Sequence, residues 1–81
     1  MQNTKTNQVV NHLITYGKIT SWEAIEKYRA TRLSAIIFNL IHDKGYPISS
    51  EMVYEEDGTR YAVYAVPMTW RLAMKKKYQR Q

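Results

Sequence analysis

The chain of 81 residues has no cysteine, three glycines, two prolines and a single phenylalanine. Without cysteine, neither disulfides nor thiolate zinc sites hold it together. Stability therefore has to come from one modest hydrophobic core, which is what a chain of this length can build. No apolar run approaches the roughly 18 residues that signal a membrane span, and the opening residues MQNTKTNQ lack the apolar stretch of a signal peptide. The expectation is a single soluble, cytoplasmic domain with no membrane partner.

The usual signs of catalysis are missing too. There are two histidines, no H-E-x-x-H, no glycine-rich phosphate loop and no nucleophile elbow. The acids Glu55, Glu56 and Asp57 cluster next to a glycine, in a turn where nothing desolvates them or raises a pKa. No catalytic residue, metal ligand, cofactor or small-molecule substrate is expected, and the chain does not read as an enzyme. His12 falls on the polar side of its helix and reads as a solvated histidine.

Acid is also absent from residues 67–81, which carry Arg71, Lys75, Lys76, Lys77 and Arg80. Residues 1–66 hold seven Lys/Arg and seven Asp/Glu, so the whole net charge of +5 sits in the C-terminal segment. A neutral body with a basic tail suits a polyanion.

What is present is organised around residues 20–45, TSWEAIEKYRATRLSAIIFNLIHDKG. Thr20 and Glu23 have the spacing of a capping box, and Trp22, Ala24, Ile25 and Tyr28 supply the apolar side of a short helix. Thr31 is expected to start a second helix, with Leu33, Ile36, Ile37, Leu40 and Ile41 spaced for one buried face. Lys44 and Gly45 stop it. Only Arg29-Ala30 lies between the two, too short for anything but a sharp corner. This is the sequence form of a helix-turn-helix.

Before it, residues 4–16 form a helix with Val9, Val10, Leu13, Ile14 and Tyr16 on one face. Gly17 ends it, and Lys18-Ile19 makes a short extended rung. After Gly45 the pattern alternates over 48–55, turns at Asp57-Gly58 and alternates again over 60–66. With Asp57-Gly58 as a two-residue turn, Tyr54 faces Tyr61, Met52 faces Val63, and Glu55 pairs with Arg60. That register turns Tyr54, Met52, Tyr61 and Val63 toward the helices. Pro67 closes the strand, and a short helix capped by Thr69 follows, with Trp70, Ala73, Met74 and Tyr78 on one side.

This order resembles the small winged helix-turn-helix proteins common in bacteriophage genomes. The residues that carry the resemblance are Ile19 to Ile25, Tyr28, Thr31 to Ala35 and Lys44 to Ile48. The fold class is α+β: a three-helix bundle with a β-hairpin wing over 1–66, then a basic C-terminal helix or tail over 67–81. One departure is the corner. Such turns often carry glycine; a left-handed residue at Arg29-Ala30 costs roughly 1 kcal/mol, and the alternative is a corner that avoids that conformation and changes the angle between the helices.

The resemblance implies double-stranded DNA as the partner, with the helix 31–44 in the major groove. On its outward face Arg32 suits guanine, Asn39 suits adenine, Ala35 meets a thymine methyl, and Thr31 and Ser34 reach phosphate or base edges. Arg29, Lys75, Lys76 and Lys77 add cations for the backbone. Phe38 faces outward as well. An apolar contact to thymine or to a dimer partner is one use for it, but it is expected to lie under the hairpin or the C-terminal helix, since Trp70 and Met74 also need a surface to cover. So small a footprint calls for a homodimer or repeated sites. The acidic wing tip argues the other way. In the rival reading, Glu55, Glu56 and Asp57 imitate phosphate for a host protein, with Phe38 or Trp70 as the anchor.

Overall fold

A computed structural model describes residues 4–79, with side chains through Lys77. Helix α1 (Lys5–Tyr16) leads through strand β1 (Lys18–Thr20) to α2 (Ser21–Tyr28) and α3 (Leu33–Lys44). The hairpin β2 (Ser49–Tyr54) and β3 (Arg60–Ala65) follows, then α4 (Met68–Gln79). The sheet is antiparallel in the order β1-β3-β2, so the last strand lies in the middle. The architecture is α+β, as expected from the change of period along the chain.

Three of the four helix starts have a local cause. The Thr4 side chain accepts from the Asn7 amide and begins α1. At α2 both halves of the capping box form: Glu23 N–H donates to Thr20 Oγ1 at 3.0 Å, and Thr20 N–H donates to Glu23 Oε1 at 3.0 Å. Helix α4 begins at Met68, one residue before Thr69, with Arg71 N–H bonded to the Pro67 carbonyl. Thr69 is thus inside the helix rather than its cap, because the carbonyl of Pro67 already serves the first turn.

The core joins Val9, Val10, Leu13 and Ile14 of α1 to Ile19, Ala24, Ala30, Leu33, Ile37, Leu40 and Met74. Helix α4 belongs to this assembly. Met74 is buried, Trp70 meets Tyr46 edge-on at 5.1 Å, and Arg71 reaches back to the end of α1. There, Arg71 Nε donates to the Ile14 carbonyl at 3.1 Å and Nη2 to the Thr15 carbonyl at 2.7 Å. These carbonyls have no partner within α1, so the guanidinium satisfies groups that a helix end leaves open. Gly17, at φ 85°, lies directly beneath; a Cβ there would stand 3.0 Å from the guanidinium. Tyr78 and Arg80, which the sequence groups with this segment, lie outside the described side chains.

Several expected burials are corrected. His12 is 2% exposed and belongs to the interior, on the flank of the α1 stripe where α2 crosses. Tyr16, Trp22, Ile25 and Ile41 lie exposed, and Ala73 faces solvent. Helix α2 is short, and only Ala24 of it reaches the interior fully, with Tyr28 half-buried. The remaining apolar side chains of α2 point past the edge of so small a core.

The hairpin register differs by one. Tyr54 pairs with Arg60, Val53 with Tyr61, Met52 with Ala62 and Glu51 with Val63. The loop holds three residues, Glu56-Asp57-Gly58, closed by Glu55 N–H to the Thr59 carbonyl at 2.7 Å. The Gly58 amide bonds the Glu55 carbonyl, and Gly58 at φ 91° takes the left-handed step that follows a type I turn. Asp57 Oδ1 accepts from Thr59 N–H at 2.9 Å and fixes the bend. Glu55 therefore faces Thr59, not Arg60. Its carboxylate accepts from the Tyr61 hydroxyl at 3.1 Å.

Candidate nucleic-acid interface

Helix α3 is presented by the corner that precedes it. Arg29 takes the left-handed conformation, φ 56° and ψ 31°, the one non-glycine residue with positive φ among those described. In that conformation the amides of Arg29 and Ala30 bond back to the carbonyls of Ile25 and Ala24, each at 2.9 Å. Ala30 drops into the core. The corner thus accepts the strain that the absence of glycine implied, and Thr31 and Arg32 complete the turn outside the helix. The expected start at Thr31 is corrected to Leu33, with Arg32 as the flanking residue at φ −116° and ψ 47°. The Arg32 carbonyl accepts from the amides of Ala35 and Ile36, but its side chain caps nothing. The positive end of α3 is left open beside the exposed side chains of Thr31, Arg32 and Ser34.

Leu33, Ile37 and Leu40 seat α3 on the core. At 3.6 residues per turn, Ala35 and His42 then stand opposite that seat, with Phe38 and Asn39 to either side and Ser34 beyond Phe38. All five are exposed, and so is Arg29. Phe38 is the correction here. Neither the hairpin nor α4 covers it; it is 58% exposed, with its ring 4.1 Å from that of His42. The helix expected to cover it lies on α1 instead, held by Met74 and Arg71. Trp70 is half-buried, with its ring against Tyr46.

Of the C-terminal cations, Lys76 and Lys77 are exposed on α4 and Lys75 is half-buried. Arg71 is committed to α1.

The one-residue register shift makes the wing two-sided. Side chains opposite each other share a face of the sheet, so Met52, Tyr54, Ala62 and Arg60 lie on one side. Glu51, Val53, Tyr61 and Val63 lie on the other. The carboxylates of Glu55, Glu56 and Asp57 line an open cleft with Tyr61, Thr59, Thr20 and the exposed Trp22. That cleft lies between the wing tip and the start of α2; no residue of α3 lines it. The amide of Thr59 holds the Asp57 carboxyl below the ordinary range, and the bond to Glu55 raises the Tyr61 hydroxyl. The acids of the tip thus gather on the α2 side of the wing.

Behind the interface, α1 and α2 are tied through His12. Its Nδ1 shares a hydrogen bond with the Tyr28 hydroxyl at 2.8 Å. Its Nε2 is buried with no hydrogen-bond partner, and the Glu23 carboxylate stands 3.8 Å away, too far for one. Burial pushes the His12 pKa down, against the pull of Glu23 and with the help of Lys27. Burial also raises Tyr28, helped by Tyr16 and Glu23. Lys5 Nζ donates to the Tyr28 carbonyl at 3.2 Å and closes the end of α2. Neither role has a local signal in the sequence. Each depends on which helices cross.

Among the described residues no group of three histidines or acids is placed to hold a metal ion, and no helix is long and apolar enough to cross a membrane. A family model described as a winged helix-turn-helix domain matches residues 4–67. No curated protein and no solved structure matches the chain.

Proposed function

The chain belongs to the winged helix-turn-helix family, and from that premise we propose that it binds double-stranded DNA without catalysis. In this reading it acts in the cytoplasm of a bacterial host, as a phage-type transcriptional regulator or an excisionase-like architectural factor. The observation that carries the reading is the outward face of α3, exposed with Arg32, Ser34, Ala35 and Asn39 available. Arg32 suits bidentate contact with guanine and Asn39 with adenine. The open amino end of α3 favours phosphate, joined by Thr31 and Arg29. Lys75, Lys76 and Lys77 add backbone contacts that carry no sequence information. One such helix reads few base pairs, so a homodimer or repeated sites complete the specificity.

A gel-shift series over salt tests this on a duplex selected from a random pool. Arg32→Ala is expected to weaken the selected site by about 1–3 kcal/mol and relax one base position. Changing the three lysines to glutamine weakens all sequences alike. It also lowers the salt slope by about 0.9 for each phosphate that is no longer neutralised. Failure to shift any duplex at low salt removes the proposal.

A second reading is favoured by the cleft of Trp22, Glu55, Glu56, Asp57 and Tyr61. Its carboxylates beside an exposed indole suit a basic protein surface, with the wing standing in for phosphate. Capture from nuclease-treated host lysate tests it. A stoichiometric protein partner that disappears on changing Glu55, Glu56 and Asp57 to lysine supports this reading, and DNA binding that survives those changes supports the first.

A further inference from the structure

The outward face of α3 carries two aromatic rings and no Lys, Arg, Asp or Glu opposite its buried seat. Ala35 and His42 stand at its centre, with Phe38 and Asn39 to either side and Ser34 beyond Phe38. Phe38 shows 58% of its surface to solvent, although Met74 and Trp70 of the C-terminal helix are drawn into or against the core. The His42 ring packs on it one helical turn later, at 4.1 Å and 38°. The two rings form an i, i+4 contact on the helix surface, and the rest of the phenyl ring stays open to solvent. A phenylalanine placed this way gains little from the monomer.

We propose that Phe38 is a specificity residue that reads the 5-methyl group of thymine in the major groove. The inference rests on the DNA reading above and adds its base chemistry. A major groove offers hydrogen-bonding atoms on every base but only one apolar protrusion, the thymine methyl. An exposed ring between Ser34 and Asn39 matches that pattern: polar groups at the sides and an apolar contact between them. An interface with a second protein copy fits less well, because the apolar area is one ring with Ala35 and the partly exposed Ile41 beside it, too small a patch for a stable dimer and flanked by groups that seek hydrogen bonds. Phe38 thereby selects A·T over G·C pairs at a position where Arg32 and Asn39 act on neighbouring steps.

The test uses the full chain and its selected duplex, with each thymine replaced in turn by deoxyuridine, which lacks only the methyl. Binding is measured by fluorescence anisotropy for the wild type, Phe38→Ala and Phe38→Leu. One buried methyl is worth about 0.8 kcal/mol, or about fourfold in affinity. The wild type should lose about fourfold at one or two thymines and nothing at the others. Phe38→Ala should bind several-fold more weakly and be indifferent to those same replacements, whereas Phe38→Leu keeps part of the discrimination. Because the ring is exposed, these variants should fold as the wild type does, which circular dichroism checks.

Indifference of the wild type to every replacement overturns the inference, and so does an equal loss in wild type and Phe38→Ala. A change of sedimentation coefficient in Phe38→Ala assigns the ring to a protein interface and overturns it as well. If no duplex binds at all, the DNA reading itself fails, a result distinct from DNA binding that ignores the methyl.

Discussion

The two ends of this molecule treat their side chains differently. Where α1 meets α4 and the start of the helix-turn-helix, groups that need partners mostly have them. Arg71 closes the carbonyls of Ile14 and Thr15, Lys5 closes that of Tyr28, and Val9, Leu13 and Ile19 are fully buried. Along α3 and the wing, Phe38, Ile41, Met52 and Tyr54 are left exposed, Arg29 is held in a strained conformation, and Arg32 caps nothing. Buried contacts are concentrated at one end, and the other keeps large side chains exposed. The difference also explains how 81 residues without cysteine support an open face: the C-terminal helix, outside the matched family region, reinforces α1 rather than α3.

Substitutions at the two ends should separate accordingly. The largest expected effect is Leu13→Ala, which removes a fully buried side chain from the closed end and costs about 3 kcal/mol; denaturant unfolding measures it. Arg71→Ala comes next, at about 1.5 kcal/mol, since it strips two charge-assisted hydrogen bonds from the end of α1. Thermal unfolding of this variant should show the loss without a change in the salt slope for DNA. A slope change would place Arg71 on the duplex and break the comparison.

The pH dependence belongs to the closed end as well. The folded-state pKa of His12 is lowered from its ordinary 6.5. The neutral ring therefore contributes stability that is present above pH 6.5 and lost as pH falls through the lowered folded value. Urea midpoints measured on either side of that window, near neutrality and in mild acid, should show this loss, and His12→Gln should flatten that part of the profile. Smaller, and opposite in sign, is Arg29→Gly. Relief of the left-handed strain should raise stability by about 0.5–1 kcal/mol, while DNA affinity falls because a cation is gone. At the open end, Tyr54→Ala should change stability by less than about 0.5 kcal/mol, since the side chain is 71% exposed.

Where residues act on near neighbours, the sequence is enough. The Thr20–Glu23 capping box, the helix-ending Gly17 and Gly45, the order of the elements and a turn around Asp57-Gly58 all follow from spacing within a few positions. The misses come where a distant segment decides. Arg71 looks like one cation of a basic tail, yet its partners lie 56 and 57 residues earlier. His12 looks solvated on its own helix until α2 crosses that flank with Tyr28. Phe38 is expected under α4, but α4 docks elsewhere. The wing register differs because Asp57 bonds Thr59 and makes the loop one residue longer, which carries Arg60 and Glu55 to different partners. The outward positions of the candidate site, Ser34, Ala35 and Asn39, are legible because the buried stripe of α3 fixes what lies opposite.

The central claim is that the open end, and α3 above all, is the surface that meets DNA. Amide chemical-shift mapping of the labelled chain, titrated with a short duplex, tests it most directly. The account predicts that the shifts concentrate at Arg29 to Asn39 and at His42, while Val9 to Ile14 stay in place. Shifts confined to Trp22 and residues 55–61, or none at any duplex concentration, contradict it.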